Sequence, residues 1–321
     1  MAGHDAQTTQ LNDGITAVDT EYARSLQDAS HLIIESGRAA FVDTGTNDSV
    51  PLLIDALHQQ DLDVADVDFV FLTHIHLDHA GGAGLLMQAL PNARCVVHPR
   101  GAPHMVDPTK LIKGTEAVYG VEQTRAMYGE IQPIDESRCA IPEDEQWFEL
   151  NGRSMQALFT EGHALHHYSL NDPSSRGVFT GDSFGVSYRE FDTAAGELIF
   201  PTSTPTHFDP DAAHVSVDRI MGCEPEQLYL THYSRVRNLD RLAADMHAGI
   251  TAYVEMALAN KDADDLQAAI QPAMADYLKG LARAHGFNGG EEALQSILEI
   301  DILLNTKGLV SWLQRLKKQG L

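Results

Sequence analysis

A mixed α/β fold with a helical C-terminal region is what this 321-residue sequence predicts, on three observations. Brief apolar and β-branched runs recur through the first two-thirds, most with Gly, Asp or Asn close by, which is the pattern of short strands. Helix-start signals lie between some of them. From about Leu239 the strand-like runs stop, and apolar residues recur every three or four positions.

Taken in order, strands are expected over residues 14–18, 31–35, 38–42 and 68–72, then over 93–98, 154–159, 177–179 and 227–230. A helix over 49–59 opens on Asn47, Asp48 and Ser49 with Pro51 in its first turn. Another over 209–221 begins DPDAA, a capped start. Beyond Leu239, helices are expected over 243–258, 265–285 and 291–304, with a last one over 309–318. Asp262 to Asp265 and the GFNGG run at 286–290 punctuate them. Residues 1–236 therefore read as an α/β domain and 237–321 as a helical region.

Composition narrows the function classes. The chain has 22 Lys+Arg against 46 Asp+Glu, a formal net charge of −24. Such a chain repels polyanions, and no basic run offsets this, so neither nucleic acid nor an anionic membrane is an expected partner. No apolar stretch approaches the length of a membrane span. The opening MAGHDAQTTQL lacks the basic and apolar segments of a secretory leader. Cys95, Cys139 and Cys223 are far apart and form no CxxC pair, so free thiols and a cytoplasmic location are expected.

The 16 histidines are unusual, and their placement is informative. In FVFLTHIHLDHAGG at 69–82 an apolar strand ends, and His74, His76, Asp78 and His79 follow within six positions. In extended backbone, residues i and i+2 share a side, so His74 and His76 can grip one cation. Asp78 and His79 lie just beyond, in reach of a second position. Imidazole with carboxylate suits several divalent ions. Chance alone produces this pattern in such a chain with a probability on the order of a few per thousand. His163 (TEGHALHH), Asp182 (FTGDSF) and His232 (LYLTHY) each follow an apolar run and enter a loop. All can gather at one sheet edge as further ligands.

With these residues on the page, the sequence resembles the metallo-β-lactamase superfamily, and within it the glyoxalase II-like hydrolases. The resemblance rests on Val42-Asp43-Thr44-Gly45, THIHLDHAGG at 73–82, Gly162-His163 with His167, Gly181-Asp182 and Thr231-His232. It implies an αββα sandwich with two divalent metal ions at one edge, zinc first, with iron or manganese as alternatives. His74, His76 and His163 would hold one ion. Asp78, His79 and His232 would hold the other, and Asp182 would bridge. Asp43 would steady the ligand loop through hydrogen bonds. His167 aligns with the second histidine of the family's GHxxxH pattern. His166 stands where the family commonly has Gly, which leaves two readings open: facing solvent or pointing toward substrate.

The implied chemistry is attack of a metal-bridging hydroxide on an ester-type carbonyl, a thioester or a lactone, in a small-molecule substrate. Asp78 and Asp182 are the expected catalytic carboxylates, with Asp78 also passing a proton to the leaving group. Asp182 speaks against a true β-lactamase, a branch that usually has Cys or Ser there. A phosphodiesterase or a persulfide dioxygenase on the same fold remains an alternative, as does a non-catalytic metal-binding protein. Phe184, Tyr188, His207 and Tyr233, from loops after the ligands, are candidate pocket residues, with core packing the competing reading for Tyr233. Arg315, Lys317 and Lys318 read as favourable charge at a helix C-terminus. The C-terminal helices could roof the pocket or form a homodimer contact.

Overall fold

The computed structural model describes residues 6–203 and 206–320; Met1 to Asp5, part of the opening read above for a leader, lie outside them. The chain adopts the expected α/β sandwich of two sheets, with helices and a helical C-terminal region. It divides into two compact units. The first comprises Met1–Phe159, His166–Gly181 and Pro225–Arg235; the second comprises Thr160–Leu165, Asp182–Glu224 and Val236–Leu321.

One sheet runs β1 (Thr8–Gln10), β2 (Ile15–Asp19), β3 (Ala29–Glu35), β4 (Arg38–Val42), β5 (Val67–Leu72), β6 (Arg94–Val97) and β7 (Cys139–Ala140), in that order. Its first four strands are antiparallel neighbours, and β4 to β7 are parallel. The other sheet contains β8 (Trp147–Leu150), β9 (Arg153–Phe159), β10 (Tyr168–Asp172), β11 (Gly177–Gly181), β12 (Gln227–Leu230) and β13 (Ser234–Val236). In it β8 to β11 alternate in direction while β12 runs parallel to β11, so β9, β11 and β12 all end at one edge.

Alternation along the strands builds the first unit's core. Ile33, Val42, Phe71 and Val96 of the first sheet meet Leu150, Met155, Leu170 and Phe179 of the second. On its other face, Leu32, Phe41 and Val70 pack with the apolar sides of α1 (Val50–His58) and α3 (Ala83–Ala89). Between β5 and α3 lies the short α2 (Leu77–Ala80). After β6 come α4 (Ala102–Val106), α5 (Thr109–Tyr119) and α6 (Val121–Tyr128).

All eight expected strands form, within a few residues of their expected ends. Five others were not expected. β1, β7 and β13 have two or three residues, too few to show a period. β10 reads YSLND, polar at three of five positions. It forms because Asp172 is buried against the guanidinium of Arg153, itself 2% exposed, whose Nε and Nη2 both donate to the carboxylate.

The second unit carries the helices α7 (Pro210–Met221), α8 (Leu239–Ala259), α9 (Leu266–Ala284) and α10 (Glu291–Gln319). Asp209 and Asp265 cap α7 and α9 by accepting from the backbone of Ala212 and Ala268. Two expectations need correction. The helices foreseen over 291–304 and 309–318 are one continuous helix, α10. Gly308, between those two stretches, is where α10 crosses close to the Ser203 carbonyl; a Cβ there would lie 1.4 Å from that oxygen. Arg315 is no mere helix-end charge, because its guanidinium donates to the backbone carbonyls of Thr206 and Phe208. Lys317 and Lys318 do lie in the last turn of α10. No helix among the described residues is long and apolar enough to cross a membrane.

Candidate metal centre

The first unit assembles its chemistry at the C-terminal ends of its strands. After β5 the chain emerges as Thr73 and His74, both fully buried. His76 precedes α2, Asp78 lies in that helix's first turn and His79 in its last. His74 Nε2 is 2.9 Å from His76 Nδ1, and the His74 and His79 ring centres are 4.0 Å apart. The side chains of His74 and His76, two positions apart, therefore meet.

Asp43 follows β4, the parallel neighbour of β5, in left-handed backbone with φ 58°. Short polar side chains tolerate that region best. Its buried carboxylate accepts from the Thr73 backbone N–H and hydroxyl, from the Thr231 hydroxyl and from Nδ1 of His79, each at 2.8 Å. An ionised carboxylate can only accept, so the His79 proton sits on Nδ1 and Nε2 presents a lone pair. That Nε2 is 3.8 Å from Asp78 Oδ2. Asp43 thus ties together Thr73, His79 and Thr231.

His232 follows β12. Its Nε2 is 3.7 Å from the same Asp78 oxygen. On its other side Nδ1 lies 2.6 Å from Asp28 Oδ1 and 3.3 Å from the Gln27 carbonyl. Asp78, His79 and His232 offer one ligand atom each, all within 4.8 Å of one another, a set that could hold a metal ion. Asp28 was not singled out from the sequence. A lone Asp ahead of a strand carries no pattern; its role comes from the backbone bond of Ala29 N–H to the Thr231 carbonyl, which sets it beside His232. Burial pushes the Asp28 carboxyl up to about 6, with His232 opposing.

His167 is fully buried and its ring stacks on His74 at 4.9 Å. His166 is half-buried, and its ring meets His76 edge-on at 5.5 Å, so it faces the histidine cluster. Tyr22 and Tyr128, also missed in the sequence, share a 2.9 Å hydroxyl contact and pack with Leu77, the neighbour of Asp78. Burial foremost, and then the Asp78 charge, push both phenols up. Tyr233 is buried against Ala17 and Ala29.

The remaining candidates belong to the second unit. His163 follows β9 by four residues and Asp182 follows β11 directly. Both are buried, with His163 Nε2 3.4 Å from Asp182 Oδ2. His163 Nδ1 is 3.3 Å from the Thr202 carbonyl, and the Ser183 hydroxyl donates to the Thr160 carbonyl at 2.7 Å. Phe184 is fully buried. Tyr188 is buried too, its hydroxyl donating to Asp301 at 3.2 Å. His207 is exposed.

Comparison with known proteins follows the same residues. The family model described as Metallo-beta-lactamase superfamily matches residues 25–232. A metallo-beta-lactamase fold-containing protein of Sulfurisphaera tokodaii is 28% identical over 170 residues, 52% of this chain and 60% of that one. An atrochrysone carboxyl ACP thioesterase of Aspergillus fumigatus is 30% identical over 117 residues, 36% of this chain and 27% of that one. The matched segments thus span less than two-thirds of either curated relative. Among solved structures, an archaeal metallo-beta-lactamase superfamily protein from Sulfolobus tokodaii has a TM-score of 0.63 at 21% identity, covering 93% of this chain and 99% of that one. A metallo-beta-lactamase family protein from Thermus thermophilus also has 0.63, at 18% identity, covering 100% and 95%. These structural likenesses speak for the fold.

Proposed function

The chain belongs to the metallo-beta-lactamase superfamily, whose members are in general metal-dependent hydrolases, and from that premise we propose that it hydrolyses a thioester at a pair of divalent cations. In this reading, which follows the sequence resemblance, His74, His76 and His163 take one ion, Asp78, His79 and His232 take the other, and Asp182 is the shared ligand. Zinc is the first choice, with iron or manganese as alternatives. The observation that carries the reading is the Asp78, His79 and His232 group with a carboxylate behind each histidine.

The donor set fits such ions. Asp43 and Asp28 each hold a ligand histidine by Nδ1, so that Nε2 is the free-electron-pair end facing Asp78, an outer support that metal-bound imidazoles regularly carry. When bound, two divalent ions supply Lewis acidity and a water acidified toward neutral pH. Asp78, with its side chain 23% exposed, is open to substrate, and it would take the proton that the attacking water gives up and pass it to the leaving thiolate. His166, aimed at the cluster from its half-buried position, is placed to donate to the substrate carbonyl. Two further facts support a thioester over a phosphodiester: the fungal relative is named a thioesterase, and a chain of net charge −24 attracts phosphodiesters poorly. We place the chain with the glyoxalase II-like branch because Asp182 stands where the true β-lactamases usually have Cys or Ser.

The test is turnover of a generic thioester, a lactone and a phosphodiester by protein loaded with Zn, Mn or Fe. Thioester turnover is expected, and Asp182→Ala is expected to abolish it while lowering metal content by one ion per chain. A fully metal-loaded chain without turnover of any substrate would instead support a metal-binding protein that lacks hydrolytic activity.

A further inference from the structure

Two helices of the second unit bring together a pair of imidazoles that the catalytic reading does not use. His214 lies on α7 and His247 on α8, both half-buried. Their Nδ1 atoms are 2.6 Å apart, and the ring planes differ by 9° with centres 4.9 Å apart. Asp218, one turn after His214, has Oδ1 3.1 Å from Nε2 of His247. A carboxylate accepts, so His247 carries its proton on Nε2 and turns an Nδ1 lone pair toward His214. Two imidazole nitrogens at that distance need a positive centre between them, a proton or a metal cation. Burial, and then the nearby His247, lower the pKa of His214, which favours the neutral form that ligates metals.

We propose that His214 and His247 form a second site for a first-row transition-metal ion of the zinc, nickel or copper class. Imidazole is the preferred nitrogen ligand of these ions. Metal–nitrogen bonds of about 2.0–2.1 Å set two imidazole nitrogens of a tetrahedral site about 3.3 Å apart, so the rings need only swing slightly open. Asp218 supplies the outer carboxylate that orients a metal-bound histidine. Both ligands stand on long helices packed side by side, α7 and α8, which fixes their backbones. His214 borders an open cleft of about 700 Å³ that Asp211, one turn before it, and Glu255 also line. Water from the cleft would fill the remaining coordination positions. A similar close approach of imidazole nitrogens, 2.9 Å, occurs between His74 and His76.

The experiment is equilibrium dialysis against Zn²⁺ or Ni²⁺ with elemental analysis, on the full chain and on His214→Ala and His247→Ala. Each variant is expected to hold one ion per chain fewer than the parent, with an unchanged circular dichroism spectrum. Asp218→Asn is expected to keep the count and to bind that ion 10–100-fold more weakly. Equal ion counts in the parent and both variants would overturn the site, and would identify the contact as a shared proton. Should a variant fail to fold, Cu²⁺ titration of the unmodified chain decides by NMR. Broadening of the His214 and His247 ring protons is expected, and sharp signals at saturation would equally overturn the proposal.

Discussion

His232 Nδ1 stands 2.6 Å from Oδ1 of Asp28, a carboxylate with no exposed surface. The same relationship holds between His79 and Asp43, at 2.8 Å. Two histidines around Asp78 are thus each gripped from behind by a buried carboxylate. Such a grip fixes ring orientation and tautomer and raises the basicity of the outward nitrogen.

Removing one grip should weaken metal binding more than it weakens the fold. Asp28→Asn is expected to lower affinity for a divalent ion 10–100-fold, measured by competition with a chelator. Affinity equal to that of the parent would mean that Asp28 serves packing alone.

Asp43 supports more than His79. Its carboxylate accepts from the Thr73 backbone, two hydroxyls and His79, and all are buried. Asp43→Ala leaves these donors without their acceptor and should cost about 3 kcal/mol or more of stability. Asp43→Asn keeps a residue suited to φ 58° and should cost less. Urea denaturation of the two variants checks the order; equal losses would contradict this account.

Gly181 sits at the end of β11 with φ 48°, where a Cβ would lie 2.5 Å from the Thr73 hydroxyl and 2.7 Å from His167 Nε2. Gly181→Ala should therefore destabilise the fold by roughly 1–3 kcal/mol and disturb the Thr73–Asp43 bonds. A melting curve and metal content like the parent's would count against this.

Acid should weaken the first unit through His31, which lies inside the sandwich against Phe179 and Tyr229. Burial pulls its pKa down to about 4, with Asp43 opposing. The unfolded chain binds a proton at this position below about pH 6.5, and the folded one only near 4, so stability falls as pH drops through that interval. His31→Gln should flatten the fall by up to about 1.4 kcal/mol per pH unit. Stability curves at pH 7, 5.5 and 4 provide the measurement, and parallel curves would exclude His31 as the source.

Local pattern was enough for eight strands of the sandwich, the helices α1 and α7, and the cluster His74, His76, Asp78 and His79, because each is written in neighbouring residues. A strand alternates, a helix recurs at three and four, and a ligand loop packs its donors within six positions. Asp43 was legible as well, through its place at the end of a strand in VDTG.

Long-range contact settled the rest. Asp28 meets His232 across 204 positions because β3 and the segment after β12 exchange a backbone bond. β10 exists as a strand because Arg153 neutralises Asp172. Gly308 stands inside α10 because the Ser203 carbonyl leaves no room for a side chain there. The partner of a buried charge, and the space beside a glycine, are properties of chain segments that meet only on folding, and no window of sequence contains them.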